Sequence, residues 1–162
     1  MYVCNVNENE AAHGNAWTQK ISALAQQENS PCVIVSAEIE SEISSLTPEE
    51  KTEFLNTLGL EKTGLDQLAQ TGYTLLDLLT FFTAGPKEAR AWTITKGSTA
   101  PQAAGKIHTD FEKGFIRAEV ISYQDFVTYQ GESHAKQAGK MRLEGKEYIM
   151  ADGDICHFRF NV

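Results

Sequence analysis

Apolar and polar positions along the chain predict a strand, a helix and a second strand at its start. Tyr2 to Val6 is a short apolar run with β-formers, closed by polar Asn7 and Glu8, and reads as a buried strand. Between Glu10 and Asn29, the residues Trp17, Ile21, Leu24 and Ala25 recur at the i, i+4, i+7, i+8 spacing of one helix face. Asn29-Ser30-Pro31 stops that helix. Cys32 to Val35 is a second apolar run, leading into Ser36-Ala37-Glu38. Two strands flanking one helix form a βαβ unit, whose strands pair in parallel.

Thr47-Pro48-Glu49-Glu50 predicts a helix start. The Thr47 hydroxyl can cap, Pro48 suits the first helical position, and Glu50 completes a capping box. Phe54, Leu55 and Leu58 then share one face, and Gly59 supplies a stop. A shorter helix around Leu65 to Ala69 ends at Thr71-Gly72, and the domain boundary falls between Gly72 and Leu76, dividing 1–74 from 75–162. Beyond it, Leu75 to Thr83 reads as a strand, Gly85-Pro86 as a turn and Ala91 to Thr95 as a strand turned by Lys96-Gly97. Thr99 to Lys106 reads as a helix and Phe115 to Ile121 as a strand, while Asp125 to Gln137 is polar and partly helical. Met141 to Leu143, Tyr148 to Met150 and Ile155 to Phe160 are late strands, joined by turns at Glu144-Gly145 and Asp152-Gly153. Hairpin, helix and further strands make a small α+β module.

At 41% hydrophobic and 22% charged residues, the chain has a globular composition. No apolar run approaches the ~18 residues that a membrane helix needs. The start, Met1-Tyr2-Val3-Cys4-Asn5, has neither the basic region nor the apolar core of a secretory signal. Cys4, Cys32 and Cys156 show no CxxC spacing, which fits a reducing cytoplasm, and His13, His108, His134 and His157 show no metal spacing. The net charge of −8 lies entirely in residues 1–76, with three basic and eleven acidic side chains. The remaining residues carry eleven of each, so their basic groups can still form a patch for RNA phosphates.

Two strand ends are candidates for chemistry. Asn5-Val6-Asn7-Glu8 closes the first strand, and Ser36-Ala37-Glu38 closes the second. In open α/β sheets, ligands bind beyond the carboxyl ends of strands, and two adjacent ends could grip one flat ligand; a plain polar loop is the competing reading.

A strand ending in Asn-x-x-Glu, a helix, and a strand ending in Ser-Ala resemble the base-recognition half of a P-loop GTPase domain, in the version found in the YchF family of Obg-like ATPases. The runs Leu79-Thr80-Phe81-Phe82-Thr83-Ala84-Gly85, Glu88-Ala89-Arg90-Ala91-Trp92 and His108-Thr109-Asp110-Phe111-Glu112-Lys113-Gly114-Phe115-Ile116-Arg117-Ala118-Glu119-Val120 resemble that family's C-terminal TGS domain. The resemblance covers essentially the whole chain. It implies an α/β partial P-loop NTPase segment (1–74) followed by an α+β TGS domain of β-grasp, ubiquitin-like fold (75–162). It also implies ATP as ligand, the ribosome as partner and a cytoplasmic location. Where typical GTPases use Asn-Lys-x-Asp, Val6 stands for the lysine and Glu8 for the aspartate. A carboxylate one methylene longer no longer fits the guanine edge, and a mismatched buried polar group costs ~1–3 kcal/mol. ATP preference is the expectation. Asn5 would brace the loop and touch adenine, Val6 pack on the base, Glu8 meet its polar edge, and Ser36 and Ala37 offer backbone groups.

The family's phosphate-binding loop, of the GxxxxGKS/T type, has no counterpart here. Gly105-Lys106, Gly139-Lys140 and Gly145-Lys146 are followed by Ile107, Met141 and Glu147. Phosphoryl transfer needs that loop and its Mg2+, whose ligands are also missing, so the expectation is a C-terminal portion that does not hydrolyse ATP alone. His108 reads either as an RNA contact or as a helix-ending residue bonded to backbone. With Arg90, Lys96, Lys106, Lys113 and Arg117 it could form an RNA- or ribosome-facing surface, and a solvated surface is the alternative. A stand-alone β-grasp interaction module, binding RNA or protein without nucleotide, is the second functional reading. Cys32 and Cys156 lie in apolar runs and read as inert core rather than nucleophiles.

Overall fold

The computed structural model describes residues 1–85 and 88–161, so Pro86 of the expected Gly85-Pro86 turn lies outside them. The chain separates into two compact units, Met1–Leu76 and Asp77–Val162.

In the first unit, β1 (Tyr2–Asn5) pairs in parallel with β2 (Cys32–Val35), running from Tyr2 opposite Cys32 to Asn5 opposite Val35. The intervening helix α1 spans Ala16–Gln27, starting later than the apolar spacing suggests. Its start is set by Asn15, whose Oδ1 accepts from the amides of Trp17 (2.9 Å) and Thr18 (3.0 Å). Glu8–Glu10 instead form a 3-10 turn. The buried face also differs from the expected one: Thr18 and Ala25 are buried, whereas Trp17 is 72% and Leu24 41% exposed. The helix ends where expected, with Asn29 at φ 51° and the Ser30 amide bonded back to the Ala25 carbonyl at 2.8 Å.

A helix absent from the sequence reading follows: α2 (Ala37–Ile43), capped by the Ser36 hydroxyl. Its Ile39 and Ile43 pack with Leu55 of α3 (Pro48–Thr57) in a small core flanked by Phe54, Leu58 and Leu60. The capping box at Thr47 and Glu50 forms as expected, and Gly59 at φ 71° lets the chain leave α3. The last helix, α4 (Gly64–Leu75), runs through Gly72 rather than ending there. A mid-helix glycine costs only about 1 kcal/mol, and α4 is anchored at its start. The Glu40 carboxylate accepts from the Gly64 amide at 2.7 Å, and Thr63 Oγ1 accepts from the Asp66 amide at 2.9 Å.

The second unit comprises β3 (Leu78–Ala84), β4 (Ala89–Thr95), α5 (Ala100–Ile107), α6 (Thr109–Lys113), β5 (Phe115–Ser122), α7 (Tyr123–Thr128), α8 (Glu132–Gln137), β6 (Arg142–Glu144) and β7 (Asp154–Phe160). Its sheet has the order β4-β3-β7-β5-β6, with β3 and β7 parallel and the other neighbours antiparallel. Leu75 and Leu76 belong to the end of α4, so β3 begins three residues after the expected start. Ala100, Ala103 and Ala104 of α5 are fully buried, and their small side chains bring the helix close to Phe81, Ile94, Ala118, Val120, Cys156 and Phe158. Among the described residues, no helix is long and apolar enough to cross a membrane.

Tyr148 to Met150 is not a strand; it contributes only a bridge between Ile149 and Thr99. Asp154 explains why. Buried at the start of β7, its carboxylate accepts from the Ala151 amide (2.9 Å), the Tyr148 hydroxyl (2.8 Å) and Arg142 (3.4 Å). That network ties the turn after Met150 to the start of β7, so the pairing with Ser98–Ala100 stops at one bridge.

Two expectations follow. At Gly114 a Cβ would press into the backbone carbonyl of Asn161, whose amide donates to the Gly114 carbonyl at 2.8 Å. Gly114→Ala should therefore destabilise the second unit by about 1–3 kcal/mol, read as a lower urea midpoint. Burial and the Asp154 hydrogen bond raise the Tyr148 phenol to about 12, against an opposing pull from Arg142. A raised folded-state value means that this stabilisation is complete below the unfolded value near 10 and is lost as pH rises through about 12. Ultraviolet titration should resolve one late-ionising tyrosine, and Asp154→Asn should bring it back toward the ordinary value.

Candidate nucleotide-base site and cationic surfaces

The parallel register of β1 and β2 brings their carboxyl ends side by side. The ladder continues one step past β1, with the Val6 amide bonded to the Val35 carbonyl at 2.9 Å. Val6 is buried, Asn5 is exposed, and Glu8 begins the 3-10 turn two residues on. On the neighbouring end, Ser36 is buried and its hydroxyl caps α2 by accepting from the Ile39 amide at 3.5 Å. The link between the two ends is a side chain: Asn5 Oδ1 accepts from the Ala37 amide at 2.9 Å. The Ala37 N–H is thereby committed to Asn5, while the Asn5 amide nitrogen keeps its donors for a ligand. Among the described residues, no group of three or more His, Cys, Asp or Glu is placed to hold a metal ion.

The cationic residues singled out in the sequence do not form one patch. Arg90 lies over the Trp92 ring, 4.2 Å from its centroid, and Trp92 Nε1 donates to Thr83 Oγ1 at 2.9 Å. Both sit on the helix-covered side of the sheet, at its β4 edge, because they pair opposite Thr83 and the buried Phe81. Lys96 follows β4, its amide bonded to the Asp77 carbonyl at 2.6 Å. Lys106 and Lys113 lie in the last turns of α5 and α6. Between them His108 closes α5 and opens α6, its Nδ1 accepting from the Asp110 amide at 3.2 Å. Its ring stands 5.8 Å from Phe111 and remains exposed. Arg117 is on the opposite side of the sheet from these helices.

That side, where Ile121 is buried and Glu132 and Met141 lie beside Glu119, holds two further residues, Glu119 and Arg159. Along β5 the side chains of Ala118 and Val120 enter the core, so Arg117 and Glu119 face away from it. Glu119 is only 8% exposed. Arg159 on β7 grips it side-on, Nε to Oε1 at 3.3 Å and Nη2 to Oε2 at 3.1 Å, while Arg117 Nη2 stands 3.6 Å from Oε1. The Arg159 hydrogen bonds hold the Glu119 carboxyl below the usual carboxylate range, against the effect of burial. Strand alternation within Phe115 to Ile121 already pairs Arg117 with Glu119. Arg159 required the β5–β7 register. Cys156 points inward on β7, and burial pushes its thiol well up, as expected of core. Cys4 and Cys32 are free thiols with sulfurs 3.8 Å apart.

A parallel βαβ segment with an Asn-bridged pair of strand ends, followed by a mixed five-stranded sheet, defines a partial α/β layer joined to an α+β module. The chain belongs to the YchF-GTPase C-terminal family, described as "Protein of unknown function (DUF933)", which matches residues 78–161. Over 162 residues it is 57% identical to "Ribosome-binding ATPase YchF" of Haemophilus ducreyi and 56% to the protein of that name in Escherichia coli O157:H7. Over 164 residues it is 54% identical to the one in Bacillus subtilis. All of this chain is covered in the first two comparisons, yet it spans 44% of the length of those relatives. Among solved structures, the Schizosaccharomyces pombe YchF GTPase matches with a TM-score of 0.83 and 38% identity, covering 98% of this chain and 43% of that one. A GTP-binding protein from Pyrococcus horikoshii matches in fold, with a TM-score of 0.64 at 18% identity. The resemblance read from the residues is borne out at the level of the YchF family.

Removing the bridging acceptor tests the strand-end geometry. Asn5→Ala should expose the Ala37 amide and cost about 0.5–1.5 kcal/mol, the net value of one such bond. Hydrogen exchange at Ala37 should accelerate in Asn5→Ala and stay slow in Asn5→Asp, which keeps the acceptor.

Proposed function

We propose that this chain is the C-terminal part of a ribosome-binding, ATP-hydrolysing P-loop NTPase of the Obg-like family, acting in the cytoplasm. In this reading residues 1–74 hold the base-recognition elements and 75–162 form a TGS domain of β-grasp fold. The observation that carries it is the Asn5–Ala37 bond, which locks two parallel strand ends into one edge. The names borne by the relatives support it. Adenine would lie against Val6, with Asn5 donors and the Glu8 carboxylate at its polar edge and Ser36-Ala37 beside the ring. A purine exocyclic amine donates to a carboxylate, and Glu8 is too long for the two N–H donors of guanine. ATP is thus preferred over GTP.

Phosphate positioning and Mg2+ belong to groups not found among these residues, so no hydrolysis step is assigned to them. The ribosome is met by the second unit's basic side chains, drawn from Arg90, Lys96, Lys106, Lys113 and Arg117, with His108 beside them.

Fluorescent ATP and GTP analogues titrated against this chain test the base site. Weak binding with adenine preferred, lost in Asn5→Ala, is the expected result. Equal or tighter guanine binding removes the proposed preference, and ATP hydrolysis by these residues removes the division of labour. Co-sedimentation with ribosomes across a salt series tests the partner, and salt-sensitive pelleting is expected.

A further inference from the structure

Cys4 on β1 and Cys32 on β2 are free thiols of the first unit. Cys32 reads from the sequence as inert core, yet the structure leaves both side chains only partly buried. The register pairs Cys4 with Ile34 and Tyr2 with Cys32, so both sulfurs lie on one face of the parallel pair. They meet diagonally across the two strands, with the sulfurs 3.8 Å apart. That spacing discriminates between the two reactions open to a thiol pair. A disulfide needs about 2.05 Å between sulfurs and Cα atoms within about 7 Å, whereas diagonal neighbours on adjacent strands stand about 7–8 Å apart. The strand ladder and the Asn5–Ala37 bond both resist the shear that would close that gap. A tetrahedral thiolate metal centre asks for no such shear. With metal–sulfur bonds of about 2.3 Å, sulfurs at two of its corners stand about 3.8 Å apart.

We propose that Cys4 and Cys32 form a two-thiolate chelate for a thiophilic divalent cation of the Zn2+ class, clamping β1 to β2. Each thiol gives its proton to solvent as its sulfur takes up the metal, so the two thiolates neutralise one divalent ion. Thiolate sulfur selects this class over Mg2+, which takes oxygen ligands. Among the described residues no third His, Cys, Asp or Glu completes the set, so two corners of the tetrahedron are left to water. Both sulfurs are partly exposed, and the ion and its water can reach them. Structural zinc centres close all four positions, whereas a half-filled one holds an exchangeable ion. Two of four ligands supply roughly half the binding free energy of such a centre, which corresponds to a Kd of about 1–200 μM. Position gives the clamp its effect. Cys4 immediately precedes Asn5, so a bound ion ties the ladder just below the bridged strand ends, whatever ligand that edge takes.

Co2+ is the probe, because tetrahedral thiolate coordination gives it near-ultraviolet charge-transfer bands and strong visible bands. Titrating the freshly reduced chain with Co2+, in buffer free of small thiols, should raise these bands to saturation at one ion per chain. Added Zn2+ should then bleach them. Cys4→Ser and Cys32→Ser should each weaken binding by roughly tenfold to a hundredfold or abolish it. Should either variant fail to fold, alkylation of the unaltered chain decides. At Zn2+ about ten times its Kd, the rate of N-ethylmaleimide addition to both Cys4 and Cys32 should fall roughly tenfold, read by peptide mass spectrometry. Buried Cys156 should stay unmodified throughout and so reports that the chain is folded. Absence of the charge-transfer bands, bands that survive in both serine variants, or equal alkylation rates with and without Zn2+ overturns the proposal. A disulfide that closes between Cys4 and Cys32 under air, in a chain that takes up no metal when reduced, overturns it as well.

Discussion

β1 and β2 run parallel with Asn5 opposite Val35, and what the first unit presents at its strand ends follows from that four-residue register. A parallel pair aligns both carboxyl ends on one edge, where the backbone ladder stops and side chains must take over. Asn5 does so by accepting from the amide at the first position of α2. A shift by one residue would turn Asn5 away from that edge and bring Cys4 or Val6 to its place. The same constraint operates in the second unit, where alternation along β5 sends Ala118 and Val120 inward and turns Arg117 and Glu119 outward.

Register decides how polar groups are satisfied as well as where they point. Asp154 and Glu119 are both buried carboxylates of one sheet, on opposite faces. Asp154 is met on the helix side by a backbone amide, a phenol and Arg142, and this closes a loop over the core. Glu119 is met by two arginines and faced by His157, all from its own sheet. The first arrangement is saturated and turned inward, which is what stability requires. The second leaves arginine N–H groups directed at solvent. Burial alone would have ranked the two together, and the partners separate them.

Local signals carried well from sequence to structure. The Thr47 to Glu50 capping box, the Gly59 stop and the Asn29 helix end each depend on a few neighbouring residues, and each forms where the residues place it. The parallel βαβ start followed from two apolar runs with a helix between. Signals that depend on the rest of the fold did not carry. The α1 periodicity is real, but which flank packs on the strands is decided by the strands, and they take Thr18 and Ala25 rather than Trp17 and Leu24. Helix α2 has only Ile39 and Ile43 as apolar marks, one turn apart, and its cap Ser36 also closes a strand. Tyr148 to Met150 has strand composition, yet Asp154 captures the Ala151 amide that an extended chain would have used elsewhere. At the candidate sites, Asn5, Val6, Ser36 and Ala37 were legible because each lies at a strand end. Arg159 was not, because its pairing with Glu119 spans forty residues.

The two units also differ in how they are held, and this bears on where function can reside. The second has a contiguous core in which Phe81, Ala118 and Val120 are fully buried beneath α5. The first rests on a two-stranded sheet and a small cluster of Ile39, Ile43 and Leu55, while Val3, Leu65 and Leu76 remain exposed. A two-stranded sheet is marginal without packing on helices, so the strand-end edge depends on capping bonds more than on burial. The caps at Asn5 and Ser36 therefore set the edge that the proposed base site uses. β5 and β7 of the second unit are held differently. Their ladder and the core beneath it fix Glu119 and its arginines with no helix cap involved. Capping bonds thus set the geometry of the thin unit, and strand pairing over a packed core sets that of the thick one.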